Sequence, residues 1–369
     1  MTLDNVSVGY NTSNGVGGGI DNEGSLEIYQ SSISYNAATG EYGDGGGIET
    51  SGALTIIQSE ISNNTEGNNG GGIDKWIGQT YIVNTTISNN TAEVDGGGIF
   101  NYSHILEIAN STITENIADN NADGTGSGGG IFHFNQVDEE TGSEFHAVFN
   151  LTPQSIPTYV NLQNSILAGN TDTGGENNDC GVDLEGTLTS LGNNLIQDIT
   201  ACPISGEATD DIYNISAELL PLNDNGGPTA SHHPMINSPV LDAGNATACA
   251  EVDQRGAPRP EDGDNDASSI CDIGSIEARL GPNSINWAPF ANIQTIYTYE
   301  DYPSEITLTG ADPEGDTIQF SIIANPTNGA LSGTPPNVVY TPDLDFYGQD
   351  TFTFKVTDSN EGTATGIVT

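Results

Sequence analysis

The stretch DGGGIETSGALTIIQSEISNN, residues 44–64, decides how this chain folds. A glycine triplet leads into Ile48. The alternating pair Leu54 and Ile56 follows, then Ile61 and a closing Asn64. Close copies lie at 16–36, 69–90 and 95–116. With Ile33, Ile61, Ile87 and Ile113 as anchors, the spacings are 28, 26 and 26 residues. Five residues before the anchors stand Ile28, Ile56, Ile82 and Ile108, and three before stand Gln30, Gln58, Asn84 and Asn110. Two before stand the hydroxyls Ser31, Ser59, Thr85 and Ser111, and three after stand Asn36, Asn64, Asn90 and Asn116. Leu3, Asn5, Val8 and Asn11 open the chain in the same frame, and Leu162, Asn164, Ile166 and Asn170 form a looser copy.

A period near 26 built from short apolar alternations and tight corners predicts one turn of a coil per repeat. Like residues then stack on like from coil to coil. Isoleucines form an interior file, and amides hydrogen-bond up and down a ladder. Glycine sits where φ must be positive or where the next coil leaves no room for a Cβ. The expected fold is all-β: a parallel β-helix of about six or more rungs over 1–170, an irregular disulfide-containing cap over 171–282, and a β-sandwich over 283–369.

Fifty-one acids against five bases give a formal net charge of −46. That field repels phosphate backbones and anionic lipid, so nucleic acid is excluded as a partner. No stretch is apolar enough for direct membrane insertion. The same field attracts cations, and Ca²⁺, which prefers oxygen ligands, is the expected structural cofactor. The opening MTLDNVSVGYN lacks a basic and apolar leader and reads as the middle of a repeat, so the chain is expected to begin inside a longer protein. Cys180, Cys202, Cys249 and Cys271 lie outside the repeats, in two sequence-local couples without a CxxC pair. Two disulfides and an oxidising setting are expected, with the connectivity open at this point.

The GGGI and IxxN blocks of 1–170 resemble the repeats of chlamydial polymorphic outer-membrane proteins and related bacterial surface proteins. Segments 221–245 and 253–277, with NGGPT, SPVLDAG, DQRGAPRP and CDIGSIE, resemble the choice-of-anchor Q region that caps or extends such helices. That resemblance implies a Cys249–Cys271 bridge around DQRG and a Cys180–Cys202 bridge before it, with Arg255 and Arg259 paired to acids. Residues 283–369 alternate as strands with a turn every 8–12 residues. Their ADPEGDTIQFSI, YTPDLDFYGQDTFTF and VTDSNEG resemble cadherin-like or Ig-like tandem domains. The resemblance implies Ca²⁺ ligands at Glu300, Asp312, Glu314, Asp316 and Asp358, near a domain junction. Asp262, Asp264 and Asp266 alternate along one loop and form a second candidate Ca²⁺ set.

Phe132 to Phe149 reads as a strand pair carrying His133 and His146, and His232-His233 as surface or packing residues. A β-helix also suits a polysaccharide lyase or glycoside hydrolase, but Lys75 is the one base in the rungs, and Asp210-Asp211 lacks supporting histidines or bases. No catalytic residues are assigned. The expected function is a structural or adhesive module of a large extracellular or cell-surface protein, calcium-stabilised, acting as a stiff rod and stalk. Its expected partners are other surface proteins or glycans, and further copies of itself, head to tail, in filaments. The alternative is a carbohydrate-binding or pectate-lyase-like enzyme.

Overall fold

The computed structural model describes residues 1–40, 43–134, 158–175, 178–183, 186–200, 202–206, 209–263, 267–279 and 286–369. The chain forms two compact units, Met1–His233 with Ser238–Ala278, and Pro234–Asn237 with Arg279–Thr369.

The first unit is a right-through winding of short parallel strands. Two eight-stranded sheets run from Thr2–Asp4 to Ile204–Gly206 and from Ser7–Gly9 to Ile212–Tyr213. Two six-stranded sheets, ending on Thr171–Asp172 and Cys180–Asp183, close the remaining sides. Each strand pairs with its counterpart one coil away. Leu3, Ile28, Ile56, Ile82, Ile108 and Leu162 are register partners in a single interior file. Val8, Ile33, Ile61, Ile87, Ile113 and Leu167 form a second. In the looser copy Leu162, Asn164 and Asn170 keep the frame and only the anchor differs: Leu167, not Ile166, continues the anchor file. Ile166 faces outward and packs with Leu195, Val240 and Ile273 in a separate core.

Two polar files run beside the apolar ones. The closing asparagines are the amide ladder. Asn11, Asn36, Asn64, Asn90 and Asn116 each donate from Nδ2 to the Oδ1 of the next, at 2.9–3.0 Å, and Asn116 donates to Asn170 at 2.9 Å. Ser59, Thr85, Ser111 and Ser165 accept backbone N–H bonds from the hydroxyl residue one coil earlier. The other periodic amides do something different. Gln58, Asn84, Asn110 and Asn164 take left-handed backbone angles, φ 48–51°, which amide residues tolerate better than branched ones. Their side chains point outward and donate to the carbonyls of Asp253, Val252, Ala248 and Asn245. The segment 245–253 thus lies along the flank of the winding, clipped to successive corners. Thr86 Oγ1 donates to Gln254 Oε1 at 2.6 Å under it, and Ser275 bonds Thr112.

Cys180 and Cys202 form a disulfide inside the main core. The expected Cys249–Cys271 bridge is not closed: both are free thiols, although their side chains are in hydrogen-bond contact. Arg255 pairs with Asp253 at 2.7 Å and Arg259 with Glu277 at 3.4 Å. His232 and His233 are buried packing residues. Phe132, His133 and Phe134 belong to a parallel strand of the winding, Ile131–Phe134, and His133 lies inside it against Asn101. The rest of the expected strand pair, with His146, lies outside the described residues.

The second unit is antiparallel. Strands Ser304–Thr307, Asn337–Pro342 and Gly329–Thr334 form one sheet, and Gln319–Ala324, Phe352–Thr357 and Thr363–Val368 another. Ile306, Leu308, Val338, Phe352, Phe354 and Val356 make its core.

Candidate metal centre

The site grows from two acidic turns of the second unit. In Asp312-Pro-Glu-Gly-Asp316, Asp312 Oδ1 accepts the backbone N–H groups of Glu314 and Asp316 at 3.1 and 2.9 Å. Gly315, φ 75°, supplies the reversal that lets the chain wrap the carboxylate. In Asp358-Ser-Asn-Glu-Gly362, Asp358 Oδ1 accepts the N–H groups of Asn360 and Gly362, each at 2.8 Å. Asn360 Nδ2 donates to Asp316 Oδ2 at 2.6 Å and ties the turns together. Asn286 Nδ2 donates to Asp358 Oδ2 at 3.0 Å, and the Trp287 N–H donates to Glu314 Oε1 at 2.8 Å.

The structure therefore gathers Asp312, Glu314, Asp316 and Asp358. It does not bring Glu300 to them. Glu300 instead lines a groove of about 650 Å³ with Tyr297, Tyr299, Phe346 and Tyr347. Sequence reasoning missed Asn286 and Asn360, whose signal was only their place beside the acids. Asp262 Oδ2 accepts the Ala267 N–H at 3.0 Å, which makes it a turn residue. Asp264 and Asp266 lie outside the described residues.

The donor set fits a hard cation. The turns satisfy one oxygen of Asp312 and of Glu314, while Asp312 Oδ2 and Glu314 Oε2 are buried without a hydrogen-bond partner. Burial raises the affinity of Asp312 for a proton, and the charges of Asp316 and Asp358 add to it. Burial, reinforced by Asp312 and Asp316, pushes Glu314 up to about 7. Carboxylate oxygens are the ligand type a hard cation such as Ca²⁺ prefers. Among the described residues no three such side chains converge at metal-bonding distance.

A pH dependence follows. The folded form of Glu314 holds its proton up to about 7, above its ordinary 4.5. Between those values the folded state binds more protons than the unfolded one, so stability falls as pH rises through the window. In chelator, the second unit is expected to melt lower at pH 7.5 than at pH 5.5. Millimolar Ca²⁺ is expected to reverse that order, as followed by Trp287 fluorescence.

Residues 286–369 match the bacterial Ig domain family. No curated protein and no solved structure matches the chain. The chain thus couples a stack of parallel strands to a bacterial Ig-like domain, a kind of domain found in surface proteins. No helix among the described residues is long and apolar enough to cross a membrane.

Proposed function

We propose that this chain is a calcium-stabilised rod and stalk of a large extracellular or cell-surface protein, working by stiffness and contact. One observation carries the reading: the same side chains stack in register across the two eight-stranded sheets. At a strand spacing of about 4.8 Å, those sheets make a column roughly 34 Å long in which every coil is braced by its neighbours. The exposed rings of Tyr297, Tyr299 and Tyr347 beside the Ig-like groove give the stalk a contact surface suited to protein or glycan partners.

Electron microscopy of the purified chain tests the rod: a first unit that appears as a short column both with and without Ca²⁺ is expected. Fibres of indefinite length would add head-to-tail assembly. Cleavage of an acidic polysaccharide by the chain would overturn the reading in favour of an enzyme.

In an oxidising setting the adjacent Cys249 and Cys271 thiols are expected to lose two electrons and two protons to an acceptor such as oxidised glutathione and close. Peptide mapping of exported protein checks this, since two alkylated cysteines would place the chain in a reducing compartment.

A further inference from the structure

The sheet that follows each glycine triplet has a second, outward file. Ile20, Ile48, Ile73, Ile99 and Ile131 face the interior, and the next residue of each strand faces out. Register lines these up as Asp21, Glu49, Asp74, Phe100 and Phe132. Phe100 and Phe132 stack at 5.7 Å, which is what such a file favours. Three carboxylates at about 4.8 Å spacing are what it disfavours.

Nor are the lower two in water. Gly70, φ 73°, brings the preceding loop so close that a Cβ there would stand 2.6–2.7 Å from the Ile73 and Asp74 backbone. Glu49 is 7% exposed and Asp74 0%. Asp44 and Glu66, 6% and 5% exposed, bring two more carboxylates to the same place. Asn68 answers part of this charge, donating Nδ2 to Asp44 Oδ1 at 2.7 Å and its backbone N–H to Glu66 Oε2. The Trp76 indole answers part of the Asp74 charge, and one indole N–H serves one oxygen at most, so Asp74 and Oε1 of Glu66 keep buried oxygen capacity that no well-formed hydrogen bond fills. Lys75 turns into the winding, where its Nζ donates to the Ser103 carbonyl, and reaches Asp74 only through its charge.

We propose that the pocket framed by Asp44, Glu49, Glu66 and Asp74 is a second cation site, one that takes a hard divalent ion of the calcium class between two coils. Asp74 offers two oxygens and Glu66 one. The side chains as they stand do not bring three carboxylates to coordination distance. Asp44 is held by Asn68 and Glu49 by Asp21, so an ion taken up at Asp74 would replace those contacts. An isolated cluster of buried acids resists ionisation, and this one does. Burial pushes Glu49 up to about 8, with Asp21, Asp44 and Glu23 adding repulsion. Burial pushes Glu66 up to about 9, with Asp44 and Glu93 adding to it. Asp74 is raised well above its ordinary value by burial and by Asp44, Glu66 and Glu49. The Trp76 indole acts in the opposite direction.

The inference deepens the calcium-stabilised reading, and the two sites can be separated by their tryptophans. Trp76 adjoins Asp74 and Trp287 adjoins Glu314, and the sequence has no third. In the full-length Trp287→Phe variant, Tb³⁺ is expected to give sensitised emission that Ca²⁺ displaces. Adding Asp74→Asn is expected to weaken Tb³⁺ binding at least tenfold, and adding Asp312→Asn to leave it within twofold. Circular dichroism establishes that Asp74→Asn still folds. Thermal melting gives a second readout: Ca²⁺ raises the midpoint of the β-helix in Trp287→Phe but not once Asp74→Asn is added. The proposal is overturned by absent emission in Trp287→Phe, by emission that Ca²⁺ does not displace, or by unchanged affinity in Asp74→Asn.

Discussion

Asn90→Ala is expected to destabilise the β-helix by about 2–6 kcal/mol, the cost of orphaning two buried polar groups at about 1–3 kcal/mol each. Asn90 Nδ2 donates to Asn116 Oδ1 and to the Ile61 carbonyl, both at 2.9 Å. Its Oδ1 accepts the backbone N–H and Nδ2 of Asn64 at 3.0 and 2.9 Å. Asn90 and its ladder partners Asn64 and Asn116 are fully buried, so no water replaces the lost partner. Because each coil leans on its neighbours, the damage should be local before it is global. Hydrogen exchange is expected to quicken first around residues 61–66. Thr55→Ala, on the outer side of a neighbouring strand, should shift the melting midpoint by no more than a degree or two. Equal effects from the two substitutions would mean that the ladder is not a stabilising element.

Gly71→Ala is expected to be nearly as harmful, about 3 kcal/mol or more, at the upper end of what overpacking costs. The reason is proximity. A Cβ at Gly71 would stand 2.5 Å from the Gly97 carbonyl oxygen and 2.6 and 2.7 Å from Thr91 backbone atoms. All of these are main chain, so no side chain can swing away, and one coil must move off another. Gly24→Ala meets nothing within 4 Å and should be tolerated. Urea unfolding of the two variants side by side checks the contrast. If Gly71→Ala unfolds at the wild-type midpoint, the triplet is not there to let coils approach.

The apolar files were legible because a coil reuses its interior once per turn. Loops outside the strands absorb the variation between 26 and 28 residues without disturbing Ile28 over Ile56 over Ile82. Ile166 misled because it and Leu167 are both apolar. Strand register puts Leu167 inward, and Ile166 is buried on the outer side by Ala217, Val240 and Ile273. The Asp312 and Asp358 turns were legible as local patterns, since a turn's hydrogen bonds close within four residues. Glu300 was not, because the turn that carries it meets Tyr297, Tyr299 and Phe346 around a groove, a placement set by residues distant in sequence.

Sequence alone settled the winding, its period and its inner faces, because those depend on neighbours one coil away that carry the same residue types. It also placed amides at two periodic positions, and nothing in the string distinguished them. Tertiary structure decided that Asn64 and Asn90 bond each other, whereas Asn84 and Asn110 reach carbonyls 168 and 138 residues further on. It likewise decided that Asp74, unremarkable in sequence, is sealed under a loop among like charges. Burial, which makes a carboxylate costly to leave unpaired, arises from the meeting of distant segments and leaves no local mark on the residue it surrounds.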